Sequence, residues 1–261
     1  MPPLSFEWII WSLVNGVPAL IGTLAFLLYP PFDQFAWDVQ DRRSGIFLGT
    51  GFLFRMSLFI LVITARSWGE IRWLTYGNAV FAAVLLGVTL IWGDIFKWSR
   101  PIAIIWLFLY IEEPVWMITL VPQAQAAAGN AVVPGAAVMS LTQIVLLVEA
   151  AVMLVAGVYL FFINRIANPI WPWKPDLVSA RIMAGFPLGW TAWAVTLALA
   201  PTWGEARGGV LLNIVWLAAV FLSVIVFQSK FDLSQRNTRI YLGVIGVLTV
   251  ALAAVYFMQG M

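Results

Sequence analysis

Eight mostly apolar stretches of about twenty or more residues account for nearly the whole chain. They lie at about 7–29, 44–65, 73–93, 100–121, 138–163, 179–200, 208–228 and 238–258. Each is long enough to cross a hydrocarbon core of about 30 Å as a helix. None alternates with period two, so a transmembrane barrel is not predicted. The expected fold is therefore all-α, a polytopic integral membrane bundle of about eight transmembrane helices. Only 10% of residues are charged, where a soluble domain carries about a quarter. The opening MPPLSFEW has neither a basic n-region nor a small-residue cleavage site. The first stretch is thus expected to be a span of the mature protein rather than a signal peptide.

The loops hold most of the charge, and they hold it unevenly. Of 14 Lys and Arg residues, ten fall in the connections 1–2, 3–4, 5–6 and 7–8 (Arg42, Lys97, Arg165 and Lys230 among them), against Arg66, Arg72 and Arg207 on the other side. The positive-inside rule then predicts an inner, cytoplasmic-membrane protein with both termini on the non-cytoplasmic side. On this reading PQAQAAAGNAVVPG is an uncharged outer loop. Pro30, Pro31, Pro122, Pro134, Pro169 and Pro201 are expected at or between helix ends.

The same loops suggest a duplication. Shifted by 135 residues, ARSWGEIR (65–72) aligns with APTWGEAR (200–207), Asp41 with Asp176, Ser44 with Ser179 and Asn78 with Asn213. Two four-helix repeats, 1–125 and 135–261, are predicted. Because four is even, the copies would be parallel, related by an axis along the membrane normal.

Four charges are predicted deep inside spans: Arg55, Glu112, Glu113 and Glu149, each about eleven residues in. A charge at that depth costs about 2.5–3.5 kcal/mol on insertion scales, so such groups face the protein interior and find partners. A single cluster on helices 2, 4 and 5 is expected. Adjacent helical side chains point about 100° apart, so Glu112 and Glu113 should not share one partner. Arg55 is expected to hold one of them bidentately. Three carboxylates against one guanidinium leave at least one carboxyl expected to carry a proton. Pro114 removes a backbone donor and frees the carbonyl of Tyr110 beside the pair. In the first span, Asn15-Gly16-Val17-Pro18 is a candidate break that would expose backbone to a substrate. Asn78 and Asn213 read as hydrogen-bond glue between helices.

Other chemistries lack their residues. Cys and His are absent, which removes the usual ligands of zinc, haem and iron–sulfur clusters, so no metal or cofactor is expected. Lys97, Lys174 and Lys230 sit at span ends, leaving no mid-helix lysine for a retinal Schiff base. No basic run suggests nucleic acid. Ten of the 15 tryptophans, Trp8, Trp11, Trp37, Trp68 and Trp173 among them, fall near span ends as an aromatic belt would. Trp106, Trp116, Trp190, Trp193 and Trp216 lie deeper, where they would line an apolar pocket or pack against lipid and neighbouring helices.

Two local stretches resemble known families. FLYIEEPVWMI is similar to the Glu-Glu motif of the small membrane lycopene cyclases, which implies that Glu112 and Glu113 protonate a polyene. Tyr110 stands where that family has a proline, and the second half has no matching acidic pair. QDRRSGIFLGTGFLFRMSLFIL is similar to the second helix of the TerC family of membrane proteins, whose intramembrane aspartates are missing here. Three functions follow as expectations. The first is a proton- or cation-coupled small-solute transporter using Glu112, Glu113, Glu149, Arg55 and Asn15. The second is a non-catalytic subunit among other membrane proteins, and the third a cofactor-free enzyme acting on isoprenoids. Partners expected besides the lipid bilayer are other membrane subunits and a hydrophobic or small-solute ligand.

Overall fold

A computed structural model describes residues 4–28, 34–166 and 170–260. Pro30, Pro31 and Pro169 lie outside the described residues. Among those described there are eight α-helices and no strands. They are α1 (Phe6–Leu28), α2 (Arg42–Thr64), α3 (Arg72–Ile91), α4 (Pro101–Ala128), α5 (Ser140–Phe162), α6 (Leu177–Ala198), α7 (Trp203–Val226) and α8 (Arg236–Gly260). Seven of them are long and apolar enough to cross a membrane. This is the helical bundle of a multi-pass membrane protein.

The exception is α6, which the sequence reading counted as a span. It carries Arg181, Pro187 and two glycines, Gly185 and Gly189, and is buried along nearly its whole length between α3 and α5. A helix sheathed by protein has less need of an oily surface than one facing lipid. Small residues bring its neighbours close, as elsewhere in membrane bundles. A methyl group on Gly189 would sit 2.7 Å from Phe81 Cβ of α3, and Gly77 of α3 meets the Trp193 ring of α6 in the same way.

Three expectations are corrected. The helix α1 runs unbroken through Asn15, Gly16 and Pro18. Proline withholds one backbone bond, and a 23-residue helix packed along α2 tolerates that loss. Pro122 does not end α4, because the alanine-rich 123–128 continues the helix until Gly129 adopts φ 55°. Half of the expected outer loop is therefore helical. Nor do Trp8, Trp11, Trp37, Trp68 and Trp173 form a belt at the lipid interface. All five are buried: Trp8, Trp11 and Trp68 pack with Phe59, Met117 and Leu120, and Trp37 and Trp173 pack where the connections fold back over the helix ends.

Hydrogen bonds define the two ends of the bundle. At the basic end, Trp37 Nε1 donates to Ser179 Oγ and Trp173 Nε1 donates to Ser44 Oγ, both at 2.9 Å. Asp41 and Asp176 cap the starts of α2 and α6. At the opposite end, Val133 N–H donates to Glu205 and Thr202 Oγ1 donates to the Val133 carbonyl. Helix starts recur with the spacing seen in the sequence: Leu177 follows Arg42, and Arg236 follows Pro101, by 135 residues. The single 3-10 turns after α3 and α7, Gly93–Ile95 and Gln228–Lys230, have that spacing too.

Candidate functional site

Four helices of the first half converge on one buried polar centre. From α2, Arg55 Nη2 donates to Glu113 Oε1 of α4 at 2.5 Å. Asn78 of α3 bridges the two: its Nδ2 donates to the same Glu113 oxygen at 2.6 Å, and its Oδ1 accepts from Arg55 Nη1. The guanidinium lies between two rings, 4.8 Å from the Phe59 centroid and 4.9 Å from that of Phe81. The contact with Glu113 is through one nitrogen rather than bidentate, because Asn78 takes the other arm of the fork.

The neighbouring carboxylate turns elsewhere. Glu112 Oε1 accepts from Asn15 Nδ2 of α1 at 2.6 Å, and Asn15 also donates to the Trp11 carbonyl one turn back. The outer oxygens of both acids, Glu112 Oε2 and Glu113 Oε2, are buried without a partner, as are Ser12 Oγ and Trp11 Nε1 nearby on α1. A cavity of about 20 Å³ adjoins the centre, walled by Asn15, Pro18, Phe52, Arg55 and Tyr110. That is room for about one water molecule.

The structure thus brings Asn15, Arg55, Glu112 and Glu113 together and leaves Glu149 out. Similar depth along each span suggested one cluster, but depth says nothing about position around the bundle. On α5, Glu149 accepts from Trp190 Nε1 of α6 at 3.1 Å and from Asn213 Nδ2 of α7 at 2.9 Å. Trp190 stands 135 residues after Arg55, and Asn213 the same distance after Asn78. In both centres an asparagine of the third helix and a donor of the second hold a glutamate from a flanking helix. Only the first has a cation. The two asparagines bond across helices, as expected of interhelical glue, and each has a buried acid as partner. Their matched positions were the only signal in the sequence.

A second ionic contact joins the halves. Arg72 at the start of α3 meets Glu205 in the first turn of α7, with Nε–Oε2 at 3.0 Å and Nη2–Oε1 at 2.8 Å. Trp73 Nε1 adds a bond to Oε2 at 2.6 Å. These are the arginine of one W-G-E-x-R motif and the glutamate of the other. Among the described residues, the converse pair of Arg207 and Glu70 is not formed. At the basic end, a hydrogen bond from Arg100 holds the half-exposed Asp38 carboxyl below the usual carboxylate range, and the charges of Arg100 and Lys97 add to it.

A larger opening lies in the second half, between α5 and α8. It has about 240 Å³ of space, with Phe47, Trp171, Trp216 and Tyr241 among its walls. No protein-family model, curated protein or solved structure matches this chain, so neither local resemblance extends to a family assignment.

Proposed function

We propose that the protein is a proton-coupled membrane transporter, with Glu112 as the group that takes up and releases the proton. One observation carries this reading. Two buried carboxyls stand on adjacent residues, only one of them paired with a guanidinium, and each has one oxygen free of partners. Arg55 and Asn78 satisfy Glu113, while the partner of Glu112 is a neutral amide. An ionised carboxylate without a cation is costly to bury, so Glu112 rests with its proton on. Releasing that proton needs a hydrogen-bonded path, and a water-sized cavity lies beside Asn15, the partner of Glu112, and Arg55. That cavity is too small for a solute or a polyene, which favours the proton as the species bound here and argues against acid catalysis on isoprenoids.

The two halves, 1–125 and 135–261, are read as copies of one four-helix unit. The recurring helix starts, the reciprocal Trp–Ser bonds and the matched asparagines support that reading. The distribution of Lys and Arg supports a cytoplasmic position for the basic end.

Proteoliposomes with a pH-sensitive dye inside test the function. A potassium diffusion potential should drive proton entry in the native protein. Glu112→Gln should reduce that entry at least ten-fold with the protein still folded. Equal entry in native and Glu112→Gln protein overturns the proposal.

A further inference from the structure

We infer that Glu112 exchanges its proton with the end of the bundle opposite the basic loops, past a barrier formed by Trp11. The inference rests on the reading of Glu112 as the proton-binding group and adds the side from which it is reached. A vestibule of about 360 Å³ lies at that end, between the start of α1 and the end of α4. Ser5, Glu7 and Gln123 are exposed in its wall, whereas Trp8, Trp68 and Leu120, also in the wall, are buried.

A series of direct contacts leads inward from the vestibule to the acids. Trp8 and Asn15 stand two turns apart on α1, about 10 Å along its axis. The Trp8 ring meets Trp11 at 5.5 Å, Trp11 meets Phe59 at 5.1 Å, and Phe59 covers the Arg55 guanidinium at 4.8 Å. Asn15 donates both to the Trp11 carbonyl and to Glu112. Trp11, packed in one cluster with Phe59 and Met117, thus stands between the vestibule and the buried pair.

Towards the basic end the way out is longer. Arg100 lies more than three turns of α4 from Glu112, about 18 Å along the axis. Aromatic rings fill that distance: Tyr110 lies on Trp106 at 4.6 Å, Trp106 on Trp37 at 5.2 Å and Trp37 on Phe96 at 5.5 Å. Their indoles are already committed, since Trp106 Nε1 donates to Thr89 Oγ1 and Trp37 Nε1 to Ser179 Oγ, both at 2.9 Å. On the vestibule side the polar atoms are free. Trp11 Nε1, Ser12 Oγ and Glu112 Oε2 are buried without a partner, and Trp11 and Ser12 are 2% and 0% exposed. An indole donates, and a hydroxyl both donates and accepts, so water that passes Trp11 finds bonds on this side and none on the other. An apolar constriction that excludes water when shut and wets when open is a general way to gate a path.

The chain has no cysteine, so single thiols in the full-length protein report access from each side. Ser12→Cys puts a thiol on α1 between Trp11 and Asn15. Silver ions are added to one face of sealed membrane vesicles, and thiols left free are counted with a maleimide after denaturation. Ala127→Cys in the vestibule wall and Ser99→Cys at an exposed position of the basic end identify the two faces. Ser12→Cys should react about ten-fold faster from the vestibule face than from the basic face. Trp11→Ala should speed the reaction from the vestibule face further, and Trp11→Leu serves if Trp11→Ala does not fold. Equal rates from the two faces, or a faster rate from the basic face, overturn the inference. So does a rate that neither Trp11 variant increases. These readings do not depend on transport, so proton entry indifferent to Glu112→Gln overturns the proposed function and leaves the sidedness to be decided by the thiols.

Discussion

The donors around Glu113 and around Glu149 stand 135 residues apart in the chain, and the two centres manage a buried acid differently. In the first, the donor from the second helix is Arg55, a permanent charge held between two aromatic rings. In the second it is Trp190, a neutral indole stacked at 4.0 Å on Trp216. Charge for charge, the first centre can keep its glutamate ionised and still has a second acid, Glu112, to accommodate. The second can only hold Glu149 by hydrogen bonds. The adjoining spaces differ in the opposite sense: about 20 Å³ lies beside Arg55, and about 240 Å³ beside Trp216. The cation thus lies in the first half and the larger space in the second.

This contrast is most open to challenge at Arg55. Arg55→Met leaves Glu113 buried without a cation and should destabilise the protein by about 3–5 kcal/mol. Trp190→Phe removes one hydrogen bond from Glu149 and should cost about 1 kcal/mol. Reversible unfolding in mixed micelles measures both. Adding Glu113→Gln to Arg55→Met should recover part of the loss, as a coupled pair requires. Similar losses for the two single variants would mean that the centres do not differ in charge.

A smaller effect separates the two copies of W-G-E-x-R. Glu205 is buried and receives Arg72, Trp73 and the Val133 backbone, whereas Glu70 accepts a long 3.4 Å bond from Arg66 N–H at an exposed turn. Glu205→Gln should cost about 2–3 kcal/mol and speed proteolysis within 129–139. Glu70→Gln should change stability by less than about 0.5 kcal/mol. The smallest expected difference is between two symmetric variants. Ser44→Ala and Ser179→Ala each remove an indole–hydroxyl bond of 2.9 Å, and each should cost about 1 kcal/mol. A clear inequality between them would weaken the reading of the halves as copies.

Much of this architecture was legible in the sequence because hydrocarbon imposes simple requirements. A backbone in lipid must satisfy its own hydrogen bonds, so long apolar stretches become helices wherever they occur. Their starts could be placed within a few residues. Buried charge is costly enough that Arg55, Glu112, Glu113 and Glu149 stood out without any structure. The same simplicity did not reveal that α6 is enclosed: a helix sheathed by protein obeys a different rule from one facing lipid, and the sequence does not say which helix is enclosed.

By itself, then, the sequence determined the helices, their approximate ends and the identity of the intramembrane charges, since these follow from the transfer free energies of individual side chains. Tertiary structure alone decided that Glu149 lies apart from the Arg55 centre, that Trp8, Trp11 and Trp68 pack inside, and that an opening lies between α5 and α8. Those outcomes depend on how each helix is rotated about its own axis. That rotation is set by the sum of many weak contacts between helices, which no single stretch of sequence contains.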